Sequence, residues 1–268
     1  MNYKGKTVVI TGASSGIGRS LALEFAKQGA NVVLGARNIN QLKEVETLIG
    51  SDKAIAIACD VTKEMDCKEL IEQGVKKFSK IDILICNAGI SMRALFDDVD
   101  LSVLHQLMDV NFWGTVYCCK YALSYIQQTK GSIVGVSSVA GIHGLPARTG
   151  YSASKYAMTG FLETLRVENL KKGVHVMIAM PGFTASNVRF SALTASGSQQ
   201  GESPREEGKM MSSERVAEII AHGISKRKRH LLMEFNGRAT WILKKFLPSL
   251  VDKLFYSHMA KEENSPIK

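Results

Sequence analysis

Along most of the chain, short runs that are apolar at every position alternate with longer stretches in which apolar residues recur every three or four positions. "KTVVIT" is followed by a helical pattern to Lys27, "ANVVLGA" by one over Asn40 to Ile49, "AIAIACDV" by one over Glu64 to Phe78, and "IDILIC" by another after Phe96. "GSIVGVSS", a long helix from Thr149 to Lys171 and "GVHVMIAM" continue the series, with "RHLLMEF" as a late strand. Strands that are apolar on both faces need helices over both sides, so the pattern predicts an α/β fold, a doubly wound parallel sheet of about seven strands in one domain.

Two segments depart from the alternation. Residues 185–213, "ASNVRFSALTASGSQQGESPREEGKMMSS", are rich in Gly, Ser and charge and are expected to be structureless, as a lid over a binding site. The second follows the domain, expected at residues 1–235, as a C-terminal amphipathic helical extension over 236–268. There "ATWILKKFLPSLVDKLFYSHMA" carries Ile242, Phe246, Leu247, Leu250, Leu254 and Phe255 at helical spacing, with Lys245, Asp252 and Lys253 on another side. Pro248 divides this helix or begins a new one. The extension either packs on its own domain, covers a partner subunit or lies on an anionic membrane surface.

Composition narrows the class. A 268-residue chain with 45% hydrophobic and 22% charged residues is globular, and no apolar run reaches the 18 or more residues of a spanning helix. The opening "MNYKGKTVVI" runs almost at once into a strand and leaves no room for a signal peptide, so the expected compartment is the cytoplasm. Cys59, Cys67, Cys86, Cys118 and Cys119 are odd in number and lack the spacing of a zinc site, so buried thiols are expected rather than disulfides or metal. The net charge of +9 includes four consecutive cations, Lys226 to Arg229. A nucleic-acid partner is one reading of that run, but an enzyme handling phosphates accounts for the charge as well, and no nucleic acid is expected.

"TGASSGIG", residues 11–18, lies between the first strand and first helix, where a Rossmann-type sheet binds a dinucleotide. Gly12 permits the tight turn, Gly16 lets backbone approach a pyrophosphate and Gly18 lets helix and strand pack closely; Ser14, Ser15 and Ile17 complete the cradle. The second strand ends "VVLGARN", with Arg37 and Asn38 where an NAD site places a carboxylate. Arg37 is either a solvated surface residue or a guanidinium for the 2'-phosphate of NADP, with Ser14 and Asn38 as helpers. Asp60 and Val61, in "CDV", end the third strand; Asp60 is an adenine partner or a loop carboxylate.

In "YSASK", Tyr151 and Lys155 stand one helical turn apart. Each alone keeps its proton to about pH 10, but a buried ammonium beside a phenol pulls it toward phenolate. Together with "CNAG" at 86–89 and Ser138 in "VSSVAG", thirteen residues before Tyr151, these motifs fall in an order and spacing that resembles the short-chain dehydrogenase/reductase family over residues 5–235. The resemblance implies a catalytic set of Asn111, Ser138, Tyr151 and Lys155. Tyr151 would be the acid/base and Ser138 its partner on the substrate oxygen; Lys155 would also hold the nicotinamide ribose, and Asn111 would anchor a water chain. It further implies that Pro181, Gly182, Phe183 and Thr184 flank the nicotinamide and that Asn87, Ala88 and Gly89 support the adenosine ribose and central strand. Cys86 stands where the family often has a first asparagine.

Residues expected on the substrate side are Ser138, His143, Leu145 and Tyr151, with Ser91, Met92, Val139, Pro146 and Phe183 nearby. They are mostly apolar, which favours a lipophilic ketone or alcohol. The lid and tail are similar to the branch containing the 11-beta-hydroxysteroid dehydrogenases and the dehydrogenase/reductase member-seven group, whose members act on steroids, retinoids or other lipid carbonyls. Without the N-terminal anchor of that branch, membrane contact is expected only peripherally, through the tail. The expectation is an NADP(H)-dependent oxidoreductase interconverting a lipophilic ketone and a secondary alcohol, assembled as a homodimer or homotetramer. Its alternative is a redox-silent NADP-binding regulatory or membrane-peripheral protein.

Overall fold

The computed structural model describes residues 2–185, 188–201, 210–233, 235–262 and 264–267, with backbone alone at 185 and 235–239. The apolar runs form β1 (Thr7–Thr11), β2 (Asn31–Ala36), β3 (Ala54–Ala58), β4 (Ile83–Cys86), β5 (Ser132–Val136) and β6 (His175–Met180). Two short strands, β7 (Thr184–Ala185) and β8 (Met211–Ser212), pair with each other, and β9 (His230–Leu232) closes the main sheet. That sheet is parallel throughout and ordered β3-β2-β1-β4-β5-β6-β9. The reversal of order beside β1 opens a crevice at the carboxyl ends of the strands.

The strands are apolar at successive positions because each face meets its own helix layer. Val8 and Ile10 of β1 point into one core with Leu21 and Phe25 of α1 (Gly16–Lys27), Leu42 of α2 (Ile39–Ile49) and Ile220 of the later α7 (Ser213–Ser225). Val9 points the other way, into a core with Leu70 of α3 (Glu64–Phe78), Ile126 of α5 (Gly114–Thr129) and Leu162 of α6 (Thr149–Glu168). Each fully buried Leu or Ile of this kind contributes about 1.5–3 kcal/mol. All five cysteines are buried, with every thiol in the second core.

Four departures from the sequence-based expectation have local causes. The helical stretch after Phe96 is two helices, α4 (Leu101–Met108) and α5, joined by a π-helical turn at Asp109–Trp113. Helix α6 ends at Glu168 rather than Lys171: Asn169 donates its side-chain amide back to Leu165 O at 2.8 Å, and a 3-10 turn at Leu170–Lys172 leads to left-handed Gly173. Residues 185–213 are not structureless where described. Leu193 bridges to Met92 and Gln199, and its N–H donates to Ser91 O at 2.8 Å, so part of the segment is laced to the loop after β4; residues 186–187 and 202–209 lie outside the described residues. The amphipathic helix α7, between the expected lid and the basic run, where the sequence pattern assigns no element, is capped by Ser212, whose Oγ accepts from Arg215 N. Glu234, within the late strand expected from "RHLLMEF", also lies outside the described residues.

The basic run has a structural task. Arg227 donates to Gly173 O at 2.7 Å and to Lys130 O at 3.4 Å, closing the turn between α7 and β9 over two loop carbonyls. Beyond the sheet stand α8 (Phe235–Phe246) and α9 (Pro248–Ala260), with Pro248 opening α9. Lys244 Nζ donates to Ile142 O at 2.8 Å and meets Tyr156 Oη at 2.5 Å, holding α8 against α6. Val251 and Met259 of α9 are buried, whereas Phe246 and Ile242 are 77% and 59% exposed, so the extension packs on its own domain by one side only.

Candidate active site

The turns at the carboxyl ends of β1, β2, β4, β5 and β6 frame a cleft of about 1540 Å³. At its nucleotide end Gly12 adopts φ +67°, and a Cβ there would lie 2.9 Å from Ala88 Cα. A Cβ on Gly18 would lie 2.0 Å from Gly12 O, so only glycine lets α1 start this close to β1. Asn87 donates to Thr11 O and Gly12 O at 3.0 and 3.3 Å, while Thr11 Oγ1 accepts from the N–H groups of Asn87 and Ala88, both at 3.0 Å. The "CNAG" turn thus braces the glycine turn. Helix α1 begins with neither a side-chain cap at Ser15 nor an acid in its first turn, which leaves its leading N–H groups for an anion. Gly18→Ala is expected to lower stability by about 2–3 kcal/mol through this backbone clash and to weaken dinucleotide binding; denaturant unfolding and a binding titration check both.

Ser14, Ser15, Gly16, Ile17, Arg37, Asn38, Asp60, Val61, Asn87, Ala88 and Gly89 all line the cleft with Gly12, whereas Gly18 lies behind it as a packing residue. Two of them have local duties. Asn38 Oδ1 accepts from Gln41 N at 3.2 Å and caps α2, and Asp60 Oδ1 accepts from Thr62 N and Oγ1 at 3.1 and 2.9 Å. Arg37 follows Ala36, the last residue of β2, with no carboxylate at that strand end. This cradle fits a dinucleotide: glycine where backbone must come close, unoccupied donors at the helix start, and a guanidinium on the rim.

At the other end Ser138, Tyr151 and Lys155 face the same cleft, with Pro181, Gly182, Phe183 and Thr184 along its floor. Ser138 caps the 3-10 turn Val139–Gly141 through Oγ, which accepts from Ala140 N at 3.2 Å, and its hydroxyl counters the effect of burial on the Tyr151 phenol. Lys155, one turn after Tyr151, donates Nζ to Val136 O at 2.9 Å and stands 5.9 Å from the phenol ring centre. Asn111 is fully buried in the π-helical turn and does not line the cleft. Its Oδ1 accepts from Ile90 N at 2.9 Å, and its Nδ2 donates to Ile90 O at 3.0 Å and Ser154 Oγ at 2.8 Å, clasping the loop after β4 to α6.

The electrostatics differ from the sequence-based expectation of a phenol drawn down by the lysine. Burial pushes Tyr151 above the usual tyrosine value, opposed by the Ser138 hydroxyl and the Arg148 charge. Burial likewise brings Lys155 down to about 8, so the amine surrenders part of its positive charge near neutrality. Desolvation acts on both groups at once and disfavours the ion pair that proximity alone suggests.

Of the residues expected near a substrate, Leu145, Met92, Ser91 and Val139 line the cleft with Ser138 and Tyr151, but His143 and Pro146 do not. They line a separate cavity of about 360 Å³, where His143 packs on Phe255 at 4.4 Å between ring centres and lies 3.7 Å from Asp252. Burial lowers the His143 pKa. Sequence reasoning missed Arg93, Arg148 and the contribution of α9, whose Val251, Leu254, Phe255 and His258 wall the cleft. The helical spacing of Leu254 and Phe255 was visible, but not which neighbour that face would meet.

The comparisons follow the same lines. The family model described as short chain dehydrogenase matches residues 6–195. The 11-beta-hydroxysteroid dehydrogenase-like 2 protein of Arabidopsis thaliana is 36% identical over 94% of this chain and 81% of its own length. The dehydrogenase/reductase SDR family protein 7-like of Dictyostelium discoideum is 34% identical over the same shares, 94% and 81%. A 3-ketoacyl-(acyl-carrier-protein) reductase from Brucella melitensis, solved with NADH, superposes with a TM-score of 0.76 at 25% identity, covering 86% of this chain and 97% of that one.

Proposed function

The chain belongs to the short-chain dehydrogenase family, and from that premise we propose that it is an NADP(H)-dependent enzyme interconverting a lipophilic ketone and the corresponding secondary alcohol. The observation that carries this reading is the convergence of Tyr151, its Ser138 partner and Lys155 on the cleft that also holds the glycine turn. A nicotinamide dinucleotide, when bound, supplies or accepts the hydride. In reduction Tyr151 Oη gives its proton to the substrate oxygen, and in oxidation it takes one. Ser138 Oγ orients that oxygen and stabilises the charge that develops on it. Lys155, fixed by Val136 O, presents its amine to the floor of the site, and Asn111 holds the π-helical turn and α6 in register.

Arg37 on the rim, with no carboxylate ending β2, supports NADP over NAD. Met92, Leu145, Leu193, Leu254 and Phe255 on the substrate wall support an apolar substrate. The same reading takes the protein as a cytoplasmic homodimer or homotetramer that binds no nucleic acid. The exposed apolar residues of α8 and α9 would meet a partner copy or the surface of a membrane. No helix among the described residues is long and apolar enough to cross one.

NADPH consumption across a panel of lipophilic ketones tests the activity, and absence of turnover with every ketone and with either dinucleotide would refute it. For cofactor choice, Arg37→Asp is expected to weaken NADP binding by about 10- to 100-fold and NAD binding far less. Equal loss of both in a binding titration would remove Arg37 from the 2'-phosphate role.

A further inference from the structure

The substrate end contains a buried ion pair that the catalytic set does not use. Arg148 is the residue just before α6 and stands one turn ahead of Tyr151; both line the cleft. Glu262, beyond the end of α9 and almost fully buried, accepts from Arg148 Nη2 through both carboxylate oxygens, at 3.0 and 3.3 Å. Arg93, after β4, approaches the same carboxylate at 3.6 Å. Arg148 also donates to Pro146 O at 3.4 Å, and its carbonyl accepts from Ser152 N at 2.8 Å. The guanidinium is therefore held by the tail on one side and by the loop before α6 on the other, while the Arg148 backbone is tied into the first turn of α6.

Resting on the acid/base role given to Tyr151, we infer that Arg148, pinned by Glu262, is a positioning residue for the phenol. Its guanidinium is the fixed positive charge against which Tyr151 exchanges its proton, and the tail makes that charge stay in place. Docking of the C-terminal segment and proton transfer are thereby coupled. Glu262 fixes the orientation of the buried Arg148 guanidinium and opposes the lowering of its pKa by burial, whereas Lys155 donates to the Val136 carbonyl and is brought down to about 8 by burial. Consistent with this arrangement, the charge near Arg148 opposes the effect of burial on Tyr151.

Among the described residues, the charged and titratable groups at this end of the cleft are Arg148 just before α6, Lys155 on α6, Arg93 after β4, Arg189 after β7, His258 on α9 and Glu262 beyond it. His143 faces α9 from the other side, against Phe255 and Asp252. Among these, Arg148 can be replaced without removing a catalytic residue, and the consequence has a definite sign.

The test is an ultraviolet difference titration of the full chain against its Tyr151→Phe variant, with saturating NADP, which isolates one phenol among seven tyrosines. Arg148→Met is expected to raise the Tyr151 ionisation by about one pH unit, and Arg148→Lys to restore most of the shift. A merely structural role would loosen the tail, admit water and lower the ionisation instead. An unchanged or lowered value in Arg148→Met overturns the inference. Should that variant not fold, Arg148→Gln, which keeps a polar partner for Glu262, is titrated in its place with the same expectation. The proposed function fails separately, if Tyr151→Phe turns over ketones as well as the unaltered chain does.

Discussion

Tyr151→Phe is expected to bring ketone reduction down by about 10²- to 10⁴-fold, the range for losing a positioned general acid. The substitution removes one oxygen and leaves the ring, which packs against the apolar cluster that includes Met92, Val103 and Leu107. Dinucleotide affinity should therefore stay within a few-fold and stability within about 1 kcal/mol, since the lost hydroxyl had only been exchanging water for Ser138. Steady-state rates with NADPH, dinucleotide titration and denaturant unfolding together separate this outcome from collapse of the site. Turnover surviving in the variant would mean that the proton comes from elsewhere.

Lys155→Met is expected to abolish turnover to a similar degree while making the protein more stable at neutral pH. Lys155 is 3% exposed, and burial brings it from 10.5 to about 8, a difference equivalent to about 3 kcal/mol. Its folded pKa lies below the unfolded one, so between roughly pH 8 and 10.5 the unfolded chain binds more protons and stability rises with pH. The penalty is complete below about 8 and gone above about 10.5. Methionine carries none of it but gives up the bond to Val136 O, which leaves a net gain of about 2 kcal/mol near pH 7. Unfolding both proteins across pH should show the gap widest below 8 and closing as pH rises; a gap independent of pH would show that the lysine is not strained by burial.

How far the sequence revealed all this depended on the range of the interaction. The sheet was legible because alternate residues such as Val8 and Val9 serve opposite cores, which makes a buried parallel strand apolar at every position. The glycine turn and the Tyr151–Lys155 spacing were legible because both are local: one is a backbone conformation, the other a helical period. The sense of the Tyr151 shift was not, because it depends on how deeply the phenol and amine are enclosed. Nor was the placement of His143, four residues from the cleft-lining Val139 yet turned toward Phe255 and Asp252 of α9. The Arg148–Glu262 pair joins positions 114 apart, and no periodicity reports a contact of that separation.

The cleft draws its two ends from different stretches of chain. The dinucleotide cradle is complete by Thr184, whereas one wall of the substrate end comes from residues between Thr240 and His258. On the proposed function, inheritance acts on these halves independently: replacements along α9 would retune which molecule is accepted while the proposed machinery for moving hydride stays as it was. A lineage could thus change its diet by editing one late helix, and grafting that helix between relatives should transfer preference without disturbing the choice of dinucleotide.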